Sequence, residues 1–206
     1  MNRLDHLVYT APSLEEGMDK IESLFGIRPI IGGQHPQWGT HNALLSLGNE
    51  YLEVIAPCPD LSVPERGLWL DSFFQQPPRI ATWALQTDAL EENKREALSS
   101  GIEIGRIERG QRQTADGSIL SWQLTNPYAL PVNGLLPFLI DWGDSKHPSE
   151  TARKAGELRK LIIQHPQPAF ITSALKTLNI ELRIEHTEKP GLKALIETEK
   201  GLIELT

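Results

Sequence analysis

The chain is short of several things, and each shortage removes a class of function. One residue in 206 is cysteine, Cys58. No intrachain disulfide can form, and zinc sites built from several thiolates are excluded. Cys58 lies between Pro57 and Pro59 with no cationic neighbour, so nothing marks it as a nucleophile. Basic residues are also scarce. Twenty Lys and Arg against 27 Asp and Glu leave a net charge of -7, and no dense Lys/Arg cluster stands out. Phosphate backbones and anionic bilayers need basic patches, so neither nucleic acid nor membrane is expected as a partner. No apolar run approaches membrane-spanning length, and the first residues read as a strand rather than a signal peptide. A reducing compartment, the cytoplasm, is the expected location. The G-x-S-x-G, Walker, Rossmann and H-E-x-x-H patterns are missing, which argues against a serine hydrolase, a nucleotide-dependent enzyme and a zincin.

What is present reads as a globular protein with a proper core: 39% hydrophobic and 23% charged residues. Three segments share one plan. A strand near 3–10 leads to a helix near 13–25 whose Leu14, Met18, Ile21, Leu24 and Phe25 fall on one face, and Gly26 stops it. A strand near 80–87 leads to a helix from Asp88 to Ser100 and Gly101, with Asp88 expected to cap it. A strand near 158–164 leads to a helix from Pro166 to Leu178, with Asn179 in the glycine's place. Further strands follow each helix. The expected fold class is α+β: repeated βαβββ modules forming a curved mixed sheet, helices on its outer face. Residues 1–56 form the first module, 57–79 a proline-bearing linker with a small helix, 80–142 the second module, and 157–206 a third, divergent one. The Pro/Gly-bearing loop 125–135 is either a site cover or an ordinary surface loop.

Two ionisable residues interrupt apolar strands: His6 in Leu4-Asp5-His6-Leu7-Val8 and Glu53 in Tyr51-Leu52-Glu53-Val54-Ile55. Burying such a group is costly unless it has a partner, and a metal ion or a polar substrate would serve. Thr40 and Asn42 share parity and could orient substrate oxygens, with His35 nearby; turn chemistry is the plainer alternative. Trp83 and Trp122 could line an apolar pocket or simply fill a core. His147, His165 and His186 are expected outside the hollow.

Leu4-Asp5-His6, the module plan, Gly32-Gly33-Gln34-His35 with Gly39-Thr40-His41-Asn42, and Tyr51-Leu52-Glu53 together resemble the glyoxalase-like branch of the vicinal oxygen chelate superfamily, which includes glyoxalase I, extradiol dioxygenases and the fosfomycin and bleomycin resistance proteins. The resemblance is strongest over 1–56, fair over 79–143 and weaker over 157–206. It implies metal ligands on the first and last strands of each paired module. His6 and Glu53 match those positions in the first module and Asp141 the last-strand position in the second. The remaining position falls near Thr82 or Trp83, neither a usual ligand. The implied centre is a divalent ion on His6, Glu53 and Asp141; Ni, Mn, Fe and Zn are not separated by such a set.

The expected function is therefore metal-assisted lyase, isomerase or dioxygenase chemistry on a small substrate with vicinal oxygens. Glu53 or His35 would move a proton, and Thr40, Asn42 and Trp83 would contact the substrate. The alternative is a non-catalytic binding protein of the resistance type. A third reading is dimerisation, a homodimer covering the unpaired third module.

Overall fold

The computed structural model describes residues 2–113 and 119–206. The elements run β1 (Arg3–Thr10), α1 (Leu14–Phe25), β2 (Ile30–His35), β3 (Thr40–Ser46), β4 (Tyr51–Pro57), α2 (Asp71–Phe74), β5 (Arg79–Gln86), α3 (Leu90–Ser99), β6 (Ile107–Gln113), β7 (Ile119–Thr125), β8 (Phe138–Asp141), β9 (Arg153–Lys154), β10 (Glu157–His165), α4 (Pro168–Thr177), β11 (Arg183–His186), β12 (Gly191–Thr198) and β13 (Gly201–Leu205). Helix α1 forms for local reasons. Ser13 Oγ accepts from Glu16 N, and Gly26 adopts φ 76° while its N–H donates to Glu22 O. The Leu14, Met18, Ile21 and Phe25 stripe is buried. At α3 the cap is not Asp88: Ala89 holds the N-cap position, and Thr87 Oγ1 accepts from Ala89 N and Asn93 Nδ2.

The large sheet has the strand order β2-β3-β4-β1-β5-β8-β7-β6, with β9 added beside β3. Each module places its first strand parallel to its last, β1 with β4 and β5 with β8. The two first strands, β1 and β5, pair antiparallel at the centre. The sheet is curved and nearly closed. Its outer strands meet where Arg112 on β6 donates to Gly32 O on β2 and Gln37 Nε2 donates to Arg109 O at 3.4 Å.

Strands β1 and β4 are buried on both faces, so their apolar runs barely alternate. Leu7, Tyr9, Leu52, Val54, Trp83, Leu85 and Leu139 point outward into the main core under the helices. Residues of opposite parity, Val8, Tyr51, Ile55, Ala84, Phe138 and Ile140, face a hollow also reached by Trp38, Trp69, Trp122 and Trp142. The segment carrying α2 is held there by Trp69 Nε1 donating to Pro127 O at 3.1 Å and Tyr128 OH donating to Gly67 O at 2.8 Å.

The third unit repeats the element order but not the pairing. Its sheet runs β11-β10-β12-β13, so its first strand lies between its second and third. Glu204 on edge strand β13 faces Lys193 at 4.0 Å. The unit's apolar side, including Leu161, Ile163, Ile171, Leu192 and Ile196, merges into the core under the helices. The same chain thus covers it. Its exposed side carries ion pairs such as Arg159–Glu197 and Lys193–Glu185. Among the described residues no helix is long and apolar enough to cross a membrane.

Candidate functional site

Parallel pairing sets His6 opposite Tyr51 and Val8 opposite Glu53. Residues two apart share a face, so His6 and Glu53 both enter the hollow. Imidazole Nε2 stands 3.6 Å from Glu53 Oε2, and both side chains are almost fully buried. The imidazole stacks on Tyr51, centroids 4.4 Å apart, with the Phe138 edge 5.6 Å away.

Each member of the pair is fixed from behind. The pairing of β1 with β5 slips by one residue between Leu4 and His6, a bulge at Asp5 that lets adjacent side chains meet. Asp5 Oδ1 lies 2.5 Å from His6 Nδ1, while Oδ2 accepts from Trp142 Nε1 at 2.9 Å and His147 Nε2 at 3.0 Å. Burial pushes the Asp5 pKa up, but the hydrogen bonds and positive charge of His147 and His6 outweigh it and hold the carboxyl well below its usual range. An ionised Asp5 requires a proton on His6 Nδ1, which turns Nε2 toward Glu53. On the other side Asn42 Nδ2 donates to Glu53 Oε1 at 2.6 Å, leaving Oε2 to face the imidazole. Asn42 Oδ1 is buried with no partner among the described residues. Burial, with Asp5 and Glu53 adding to it, pushes the Tyr51 phenol far up, so it stays neutral.

His35 and Arg112 complete the ring. His35 Nδ1 lies 3.3 Å from Thr40 Oγ1, and its ring meets Trp38 and Trp122 edge-on. Burial lowers its pKa to about 4, against the opposing pull of Glu53 and with help from Arg112, so the ring is neutral at pH 7. The inner chamber bounded by His6, His35, Asn42, Glu53, Arg112 and the tryptophans holds about 30 Å³, room for a water-sized group. Beyond Leu44, Arg112 and Trp142, which line both spaces, lies a cleft of about 710 Å³.

The second module's half of the hollow differs. His6 pairs with Tyr51 as Ala84 pairs with Phe138, so Ala84 takes the place of His6 and Ile140 that of Glu53. Trp122, opposite Gly110, takes the place of Asn42, opposite Gly33. Arg112, opposite Leu120, takes the place of His35, opposite Thr40.

Of the residues expected from sequence, His6, His35, Thr40, Asn42 and Glu53 lie on the hollow face. Asp141 does not. It shares parity with Leu139 rather than Ile140, and its Oδ1 accepts from Gly143 N at 2.8 Å. Trp83 does not either. It is fully buried under the helices, with Nε1 donating to Leu135 O at 2.9 Å. The position facing His6 is Ala84 rather than Thr82 or Trp83. His147, expected outside, is buried against Asp5. Asp5, Trp142 and Arg112 also reach the site, though no pattern in the sequence marks them. Asp5 stood beside His6 in the quoted motif, but only the bulge brings it to the ring.

The divalent ion implied by the family resemblance finds an incomplete donor set. Among the described residues no group of three or more His, Cys, Asp or Glu side chains could hold a metal. With Asp141 turned away, His6 and Glu53 remain, fewer than the three protein ligands of usual catalytic sites.

A family model described as "Glyoxalase-like domain" matches residues 4–179. Among solved structures, a hypothetical protein from Staphylococcus aureus superposes with a TM-score of 0.67 at 16% identity, covering 99% of this chain and 84% of that one. A hypothetical protein from Bacillus halodurans gives 0.49 at 18% identity, covering 70% and 97%. Methylmalonyl-CoA epimerase from Mycobacterium tuberculosis gives 0.45 at 20% identity, covering 68% and 87%. Likeness at such identity speaks to the fold alone. Comparison with curated proteins by sequence returns no match.

Proposed function

The chain belongs to the glyoxalase-like domain family, and from that membership and the His6–Glu53 pair we propose that it catalyses proton transfer at a carbon next to a carbonyl in a small substrate with neighbouring oxygens, the reaction type of isomerases and lyases. The observation that carries the reading is the 3.6 Å approach of Nε2 to Oε2 inside a buried, largely aromatic chamber, with the far atom of each group already bonded.

Two acceptors face each other across that gap unless a proton lies between them. Glu53 Oε2 is the base: the substrate C–H bond breaks, its proton passes to Oε2, and the electron pair becomes an enolate. With a proton on Nε2, His6 donates to the enolate oxygen as charge develops, and Asp5 holds the ring in place from Nδ1. Returning the proton to the same or the neighbouring carbon completes an isomerisation. Trp38, Trp69, Trp122, Trp142 and Phe138 surround the pair with apolar surface, which strengthens both electrostatic effects. The chamber's size requires the reacting end to be small.

The test is α-deuterium incorporation, followed by NMR in D2O over a panel of small 2-oxo and 2-hydroxy carbonyl compounds. The wild type should exchange at least one. Glu53→Gln should lower that rate about 100-fold or more, the range of a lost general base. Exchange unchanged by Glu53→Gln overturns the reading. Compounds that raise the melting temperature of the wild type without exchanging turn it into sequestration, the other use of such a chamber.

A further inference from the structure

The cleft outside the chamber has its own chemistry. Arg112 stands on the wall common to both spaces and is 8% exposed. A guanidinium has five N–H donors. Among the described residues the acceptor it reaches is Gly32 O, and no carboxylate lies within ion-pair distance. Glu53 and Tyr51 act on it from farther off, and burial still lowers its pKa. With one peptide carbonyl as its acceptor among the described residues, this buried cation is under-compensated there, and an anion arriving from the cleft would complete it. Arginine also offers a carboxylate a bidentate fork.

One stretch of the wall is apolar. Ile30, Ile31, Leu44, Ile119, Leu120 and Trp142 line the cleft. Ile31 and Ile119 are 61% and 70% exposed, costly positions for isoleucine without a ligand or partner. At the rim Asp144 and Lys146 offset one another, so the inner cation sets the sign. The opposite strand supplies no second cation, because His35 in the matching place is neutral.

We propose that this cleft takes a small amphipathic carboxylate, its carboxylate on Arg112 and its apolar body along the isoleucine and leucine wall. The assignment rests on reading the hollow as a small-molecule site and adds the class of molecule it selects. A head group on Arg112 would stand beside the chamber, bringing the adjacent carbon toward Glu53.

The experiment measures binding by calorimetry to octanoate and 3-phenylpropionate, each paired with its neutral amide. The wild type should bind at least one acid tenfold or more tightly than its amide; the preferred acid tells an alkyl from an aromatic body. Arg112→Met should erase the preference. Because Arg112 also joins β6 to β2, circular dichroism comes first. Should Arg112→Met fail to fold, Arg112→Lys serves instead, with a tenfold loss of acid affinity expected from the missing fork. Equal affinity for acid and amide in the wild type overturns the proposal, as does a preference that survives Arg112→Met or, in its place, acid affinity unchanged by Arg112→Lys. The two readings fail separately. Acid selectivity that depends on Arg112 without deuterium exchange in any compound leaves this inference standing and overturns proton transfer. Exchange lost in Glu53→Gln with no acid preference does the reverse.

Discussion

The two halves of the hollow are built on one topology and filled in opposite ways. The first module contributes an imidazole, a carboxylate and an amide at His6, Glu53 and Asn42; the second puts a methyl, a branched alkyl group and an indole at Ala84, Ile140 and Trp122. Only the outer-strand position is polar in both, neutral His35 facing charged Arg112 across the site. Duplication supplies a symmetric scaffold, and the substitutions set the halves apart: one holds the buried imidazole–carboxylate pair, the other supplies hydrocarbon, aromatic rings and the Arg112 charge. It also explains why the donor set for a metal is incomplete. The missing half-site is occupied by hydrocarbon.

The strongest way to break the contrast is to restore the missing half. Ala84→His with Ile140→Glu would place four ligand-type side chains around the centre. Without metal, a second ionisable pair is buried at the cost of its desolvation and the histidine overpacks the site, so unfolding free energy should fall by about 3–5 kcal/mol. Zinc or nickel at a hundredfold over its dissociation constant should return about 2.7 kcal/mol. Urea denaturation with and without metal checks both steps. Equal stabilisation of the wild type by the same ion would show that two donors suffice and dissolve the contrast.

A smaller effect follows from the outer-strand pair. Folded His35 stays neutral down to about pH 4 because burial, with Arg112 helping, opposes its charge. In the unfolded chain it takes a proton near its ordinary value, about 6.5. Between these values the unfolded state binds more protons, so stability is complete above about pH 6.5 and lost as pH falls toward 4. The loss should be about 3 kcal/mol across that window. His35→Leu should flatten the curve there. A slope that persists in the variant places its origin elsewhere.

The fold was more legible than the site, for a physical reason. Burial periodicity and helix stops such as Gly26 and Asn179 are written locally, so α1 and its flanking strands could be read directly. Parity sufficed for His6 and Glu53 because the β1–β4 pairing that joins them keeps an unbroken register. It failed at Asp5, where a one-residue bulge brings adjacent side chains together, and at Asp141, where the register puts the neighbouring Ile140 in the hollow instead. The third unit shows another limit: element order carries no record of pairing, and β10 between β11 and β12 looks the same in one dimension as β1 beside β4. Arg112 was illegible because its role depends on the sheet curling until β6 reaches β2.

The smallest effect tests whether the two faces of the central strands act separately. Trp83 alternates with Ala84 on β5 but serves the core under the helices, where its Nε1 holds Leu135 O. Trp83→Phe removes that donor and part of a ring, leaving a buried carbonyl unpaired and a small void. Stability should fall by about 1–2 kcal/mol. The Glu53-dependent exchange rate and the preference for acid over amide should each stay within threefold, because no atom lining the hollow changes. Thermal melts beside the two functional assays read both quantities in one preparation. A larger functional change at unchanged stability would mean that strain crosses the sheet, and that the packing under the helices helps set the distance between His6 and Glu53.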